Sequence, residues 1–163
     1  MIKIILVFTL FVVACSPKKS DETELVSKTL DQFNKDAADA NFEAYFSHFA
    51  ADGVFMGTDA TERWDKKEFE IWAKPFFDRK TTWNFKALKR NIYFSDDGQF
   101  AWFDELLDTQ MKVCRGSGVL IKEHEEWKLK QYVLSMTVPN EKVDEVVRLK
   151  KELEELIIDR IKP

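Results

Sequence analysis

VFMGTDATERWDKKEFEIWAKPFF, residues 54–77, decides how the rest of the chain reads. Val54, Phe55 and Met56 form a short apolar run directly after the Ala51-Asp52-Gly53 break, as expected for the start of a strand. Gly57-Thr58-Asp59 is a turn signal, and Asp65 is placed to cap a helix whose apolar stripe is Phe69, Trp72, Ala73 and Phe76. Pro75 lacks a backbone donor and is expected to kink or end that helix. Upstream of this stretch the apolar spacing is helical; downstream it becomes two.

Upstream, Asp21 and Glu24 mark a helix start, and Leu25/Val26, Thr29/Leu30, Phe33, Ala37 and Ala40 recur at helical spacing. Asn41 can cap a second, shorter helix bearing Phe42, Tyr45, Phe46 and Phe49. Downstream, Trp83, Phe85 and Ala87 alternate with polar residues, and Ile92 and Phe94 run into Ser95-Asp96-Asp97-Gly98, a strong hairpin signal. The run from Phe100 to about Val113 has apolar residues at both parities and reads as one strand covered on both faces. Residues 115–122 and 127–137 give two further strands, with a turn at His124-Glu125-Glu126 between them. After Pro139-Asn140, Val143, Val146, Leu149, Leu153, Leu156 and Ile157 stripe a charged amphipathic helix over 141–161. That helix can pack on its own domain or pair with a partner in a coiled coil.

With 163 residues, 45% hydrophobic and 33% charged, the chain has the length and composition of a single globular domain. A net charge of −4 argues against a nucleic-acid surface, which needs a basic stripe. The first residues read as a targeting segment: Lys3 is a positive n-region, and Ile4 to Ala14 is an apolar run too short to span a bilayer. Its end, Val12-Val13-Ala14-Cys15, resembles the bacterial lipobox, where cleavage precedes a cysteine that receives diacylglycerol. On that reading residues 1–14 are a signal peptide, Cys15 is the lipid attachment, 15–21 are a tether, 22–139 are the domain and 140–163 are the added helix. Lipid would then hold the protein to a membrane of the bacterial envelope, the outer one in a Gram-negative cell. Cys114 would be left without a disulfide partner, a small buried residue in a strand.

Several segments carry a family likeness: FMGTDATERWDKKEF (55–69), AWFDELL (101–107), RGSGVLIKEHEEWKLKQYVLS (115–135) and the VPN that follows. In their order and spacing the chain resembles the SnoaL-like branch of the nuclear-transport-factor-2-like superfamily, over about residues 22–140. The resemblance implies an α+β fold: a cone-shaped, curved antiparallel sheet wrapped around N-terminal helices, open at one end, with the C-terminal helix added. Relatives are frequently dimers through the outer sheet face, where Lys128, Lys130 and Tyr132 are expected; this leaves a homodimer open.

Strict alternation in the last strand would put Trp127, Leu129, Gln131, Val133 and Ser135 on one face, with Gln131 and Ser135 offering polar groups inside the cone. Asp104 and Glu105 are the candidate catalytic carboxylates, and one of them should point inward beside Trp102. Burial would raise its pKa and suit a general base, as in ketosteroid-isomerase-like and polyketide-cyclase relatives. Alternatively it is fastened by Arg115 or Arg63 in a structural salt bridge. Glu62, Arg63 and Trp64 can rim the pocket, Trp64 as a lid and Arg63 as an anion contact, or can latch loop to sheet. The expected pocket residues are thus Arg63, Trp64, Trp102, Asp104, Arg115, Gln131 and Ser135. His48 reads as a packed helix residue and His124 as solvated; neither has a metal-ligand spacing, and no cofactor or metal is called for. The expected partner is a small molecule. Three functions remain: a binding module for a small, partly apolar ligand, an enzyme with an acidic base, or an interaction protein whose pocket is filled by its own aromatics.

Overall fold

A computed structural model describes residues 19–163; the signal-peptide and lipid-attachment readings lie outside those residues. The elements are α1 (Lys19–Ala38), α2 (Phe42–Ser47), β1 (Phe49–Met56), β2 (Arg63–Asp65), α3 (Lys66–Asp78), β3 (Lys86–Phe94), β4 (Phe100–Thr109), β5 (Lys112–Glu123), β6 (Glu126–Met136) and α4 (Val143–Ile161). Six strands form one sheet in the order β2-β1-β6-β5-β4-β3, antiparallel throughout except for the parallel β1–β6 pair. The sheet is curved and unclosed, and α1 to α3 fill its inner face, giving the expected α+β cone.

Local chemistry explains the helix starts. Asn41 Oδ1 accepts from the Ala44 amide at the head of α2. Asp65 and Glu68 form a reciprocal capping box on α3, with bonds of 2.9 and 3.0 Å. Pro75 does not end α3, which continues to Asp78. The carbonyl that its ring deprives of a donor belongs to Ile71, which is exposed and open to water.

Three sequence expectations are corrected. First, β1 begins at Phe49, so the Ala51-Asp52-Gly53 break is an irregularity inside a strand, where the register with β6 shifts. Second, Phe100–Val113 is not one strand covered on both faces. A tight turn at Gln110-Met111 separates β4 from β5, organised by Thr109, whose hydroxyl accepts from the Met111 amide and donates to the Lys112 carbonyl, both at 2.9 Å. In β4 the odd residues 101–109 are buried and the even ones face outward.

Third, β6 does not alternate strictly. Leu120 pairs with Leu129 but Val119 pairs with Gln131, so Lys130 is an extra residue, a β-bulge. The bulge inverts the facing of everything beyond it. Trp127 and Leu129 point inward before it, Tyr132 and Leu134 after it. Tyr132 therefore belongs to the core and not to the outer face, while Gln131 and Ser135 are turned out of the cone.

The core is aromatic. Phe33 stacks on Tyr45 at 4.5 Å, and Phe55 lies between Phe69 at 4.2 Å and Tyr132 at 5.6 Å. Within it sits a buried glutamate–arginine pair. Glu105 on β4 is 1% exposed, and its Oε2 accepts from Arg90 Nε of β3 at 2.8 Å, with Arg90 Nη2 also 2.8 Å away. Arg90 Nη1 turns to α1, donating to the Ser27 carbonyl and hydroxyl and to Asp31. Tyr132 donates to the other Glu105 oxygen at 3.2 Å. Burial, and then the Glu105 charge, hold the Tyr132 phenol well above its usual pKa, so it stays a donor. Gly116 makes room: a Cβ there would stand 2.6 Å from Tyr132 Oη and 2.9 Å from Glu105 Oε1.

Burial raises the Glu105 pKa, and Arg90 and Tyr132 pull it only part of the way back. Arg90→Met is therefore expected to cost about 3–5 kcal/mol near neutrality by stranding a buried charge. Because the folded pKa of Glu105 lies above the unfolded one, its contribution is full below the unfolded pKa and lost as pH rises through the folded value. Removing Arg90 enlarges that loss, so the difference from wild type should shrink towards acid. Urea titrations of both proteins from about pH 4 to about pH 8 check this; a penalty that does not change with pH would contradict it.

Candidate functional site

The inner face of the sheet and the helices do not meet everywhere. Between β1, α3 and the segment 81–85 they leave a cavity of ≈ 150 Å³. Phe55 and Leu134 contribute to it from the sheet, Phe69 and Trp72 from α3, Trp64 from β2, and Trp83 and Phe85 from the irregular segment before β3. Thr58 and Glu62 from the β1–β2 loop and Gln110 and Met111 from the β4–β5 turn complete it.

The rings share an orientation. Trp64 lies against Trp72 with centroids 4.7 Å apart and planes 28° apart, and against Phe69 at 5.6 Å and 12°. Phe69 and Trp83 are 19° from parallel at 6.2 Å. A set of near-parallel faces suits a flat guest, which can continue the stack. The site arises because α3 carries Phe69 and Trp72 one turn apart, on a helix fixed at its first residue by the Asp65 cap.

The polar groups of the cavity are few. Glu62 Oε2 accepts from the Asp59 amide at 3.2 Å, which folds the β1–β2 loop back on itself. Its carboxylate rests against Gly57, where a Cβ would come within 2.1 Å of Oε2. A glycine at 57 thus sets where this carboxylate sits. Among the described residues, Glu62 is the only carboxylate lining the cavity, and no histidine lines it.

Of the residues expected at the pocket from sequence, Trp64 lines it. Arg63 is exposed on the short β2 strand. Trp102 faces outward, 47% exposed, and stacks on Tyr93 at 5.9 Å. Asp104 also faces outward, where Asn91 Nδ2 donates to it at 3.1 Å. In register beside them on the same outer face lie Arg115, Gln131 and Ser135. The structure thus gathers five of the seven residues together, on the side of the sheet away from the cavity. Glu105 points inward but is held by Arg90 and Tyr132, with Arg90 in turn bonded to Ser27 and Asp31, and it does not line the cavity. Its arginine partner is Arg90, not Arg115 or Arg63.

Sequence reasoning did not nominate Trp72, Trp83, Phe85, Gln110 or Met111 as pocket residues. The available signal was three tryptophans, Trp64, Trp72 and Trp83, clustered around one capped helix. Away from this cavity, His48 Nε2 lies 2.8 Å from Asp36 Oδ2, joining the end of α2 to α1. A shallow groove of ≈ 340 Å³ runs past it between Leu25, Thr29, Trp127 and Lys128. His124 is exposed in the β5–β6 turn.

A curved sheet closed over by helices, with a cavity between them, defines a cone-shaped α+β pocket domain. The chain belongs to the SnoaL-like domain family, whose model matches residues 26–139. Solved structures share the fold. One is an NTF2-like protein of unknown function from Pseudomonas putida KT2440, with 13% identity and a TM-score of 0.62, covering 77% of this chain and 92% of that one. Another is a domain of unknown function with a cystatin-like fold from Nostoc punctiforme, with 15% identity and a TM-score of 0.62, covering 89% and 96%. No curated protein matches in sequence.

Wall and mouth of the cavity should respond differently to truncation. Trp83 packs on Tyr45, Phe69 and Phe77, so Trp83→Ala should cost roughly 3 kcal/mol. Trp72 is 39% exposed, and Trp72→Ala should cost less than about half of that. Chemical denaturation of the two variants measures both, and equal losses would contradict this division.

Proposed function

We propose that this chain is an envelope lipoprotein whose SnoaL-like domain binds a small, flat, partly apolar molecule in the aromatic cavity without transforming it. The supporting observation is the pairing of an open stack of parallel rings with an inward carboxylate already occupied. The cavity has its guest surfaces at Trp64, Phe69, Trp72 and Trp83. Glu105, the carboxylate that a ketosteroid-isomerase-like or polyketide-cyclase-like mechanism would recruit, is held by Arg90. Asp104 faces the other side of the sheet.

At ≈ 150 Å³ the space suits a single ring, since an apolar cavity of roughly that volume holds benzene. Glu62 supplies an acceptor for one donor group on the guest. Native mass spectrometry of the protein purified from its host should show a bound small molecule. Calorimetry with benzylamine and toluene then tests the division of labour. Glu62→Gln should weaken benzylamine roughly tenfold, as expected for a lost charge-assisted hydrogen bond, and leave toluene unchanged. An empty native protein that binds neither probe would end the binding reading.

The envelope part of the reading rests on Val12-Val13-Ala14-Cys15 followed by the polar Ser16-Pro17-Lys18-Lys19. Lipid at Cys15 would place the pocket close to a membrane surface, tethered rather than inserted. The intact mass of membrane-extracted protein should equal residues 15–163 plus a lipid modification, and Cys15→Ser should abolish both cleavage and anchoring. A mature chain that keeps residues 1–14, or an unmodified Cys15, would refute it.

A further inference from the structure

The C-terminal helix is the one described helix that leaves its apolar face uncovered. None of its residues is buried, and Val147 and Ile161 are 50% and 74% exposed. It follows a short 3-10 turn, Asn140–Lys142, and stands off the domain. A helix of this length is marginal alone in water, and exposing so broad an apolar arc is unfavourable.

Val143, Val147, Lys150, Glu154, Ile157 and Ile161 lie along one seam at alternating spacings of four and three residues, a heptad pattern. The seam is symmetric about residue 152. Turned end for end, Val143 falls on Ile161, Val147 on Ile157 and Lys150 on Glu154. Small meets large, and positive meets negative, at every level. Leu153 lies beside the seam, and a two-fold axis keeps like flanks together. Leu153 would then meet its own copy. Lys150 and Glu154 already pair within one helix at 2.6 Å, both partly exposed. In a two-fold pair the four charges would close into one alternating cluster.

We infer that α4 is a dimerisation element, pairing antiparallel with α4 of a second copy about a two-fold axis at residue 152. The helix's charged face disfavours the other obvious occupant, a lipid surface. Asp144, Glu145, Glu152, Glu155 and Asp159 outnumber Arg148 and Lys151 there, whereas surface-bound helices carry basic faces. The interface is isologous, so each substitution acts twice.

The test is sedimentation velocity on the full chain. The wild type should dimerise. Lys150→Glu sets glutamate against glutamate at both ends of the cluster, and Glu154→Lys sets lysine against lysine. Each variant alone should weaken the dimer by at least about tenfold. Mixing the two in equal amounts should restore it as a heterodimer. Mere fraying of the helix after loss of its internal Lys150–Glu154 pair would not be rescued by mixing. A monomeric wild type, variants that dimerise as the wild type does, or a mixture that fails to re-form the dimer would each overturn the proposal.

Discussion

The structure turns on a charge buried where a hydrophobic side chain would have been easier to place. Arg90 spends its guanidinium in two directions, on Glu105 within the sheet and on Ser27 and Asp31 of α1. Greasy contacts alone would let α1 slide along the curved inner face, since an aromatic core accepts several packings of similar energy. Directional bonds to one turn of α1 select a single register for the helix. That register places Phe33 on Tyr45, and through Tyr45 it positions α2 and Trp83. The geometry of the cavity is thus inherited from an interaction that does not touch it.

The same arrangement separates two jobs that a pocket protein of this shape could give to one residue. A carboxylate deep in the cone can be a base or a strut. Here the arginine, the phenol and the glycine at 116 are all fitted to the ionised, immobile form. The cavity itself is lined by the stack of rings and the loop carrying Glu62. Loops and exposed rings of this kind can vary without disturbing the core that supports them.

Much of the fold was legible because its signals are local. The Asp65 capping box, the Asn41 cap and the Asp97-Gly98 turn each follow from residues a few positions apart, and all are present. The order of helices and strands sufficed for the cone. The site was less legible, because facing depends on register, and register depends on partners distant in the sequence. Nothing in Leu129-Lys130-Gln131 announces a bulge, so a parity rule carried Gln131 and Ser135 to the wrong side and left Tyr132 on the surface. That one of Asp104 and Glu105 points inward was foreseen, but not which; it is Glu105, and its partner lies on the neighbouring strand β3, a pairing that no spacing in the sequence reveals. The Gln110-Met111 turn was hidden for a different reason: Lys112 takes the left-handed backbone position that glycine usually fills, and the Thr109 hydroxyl holds the turn.

The bulge at Lys130 also restricts how this strand can evolve. Its two halves are held to opposite parities by one extra residue, whose side chain is engaged with Asp52 of β1. Gaining or losing a residue on either side of it would turn Trp127 and Leu129, or Tyr132 and Leu134, out of the core together. The length of β6 is therefore fixed, and descendants of this chain can change it only by substitution. Between two such descendants, positions on opposite sides of residue 130 can be compared only if the bulge itself is aligned.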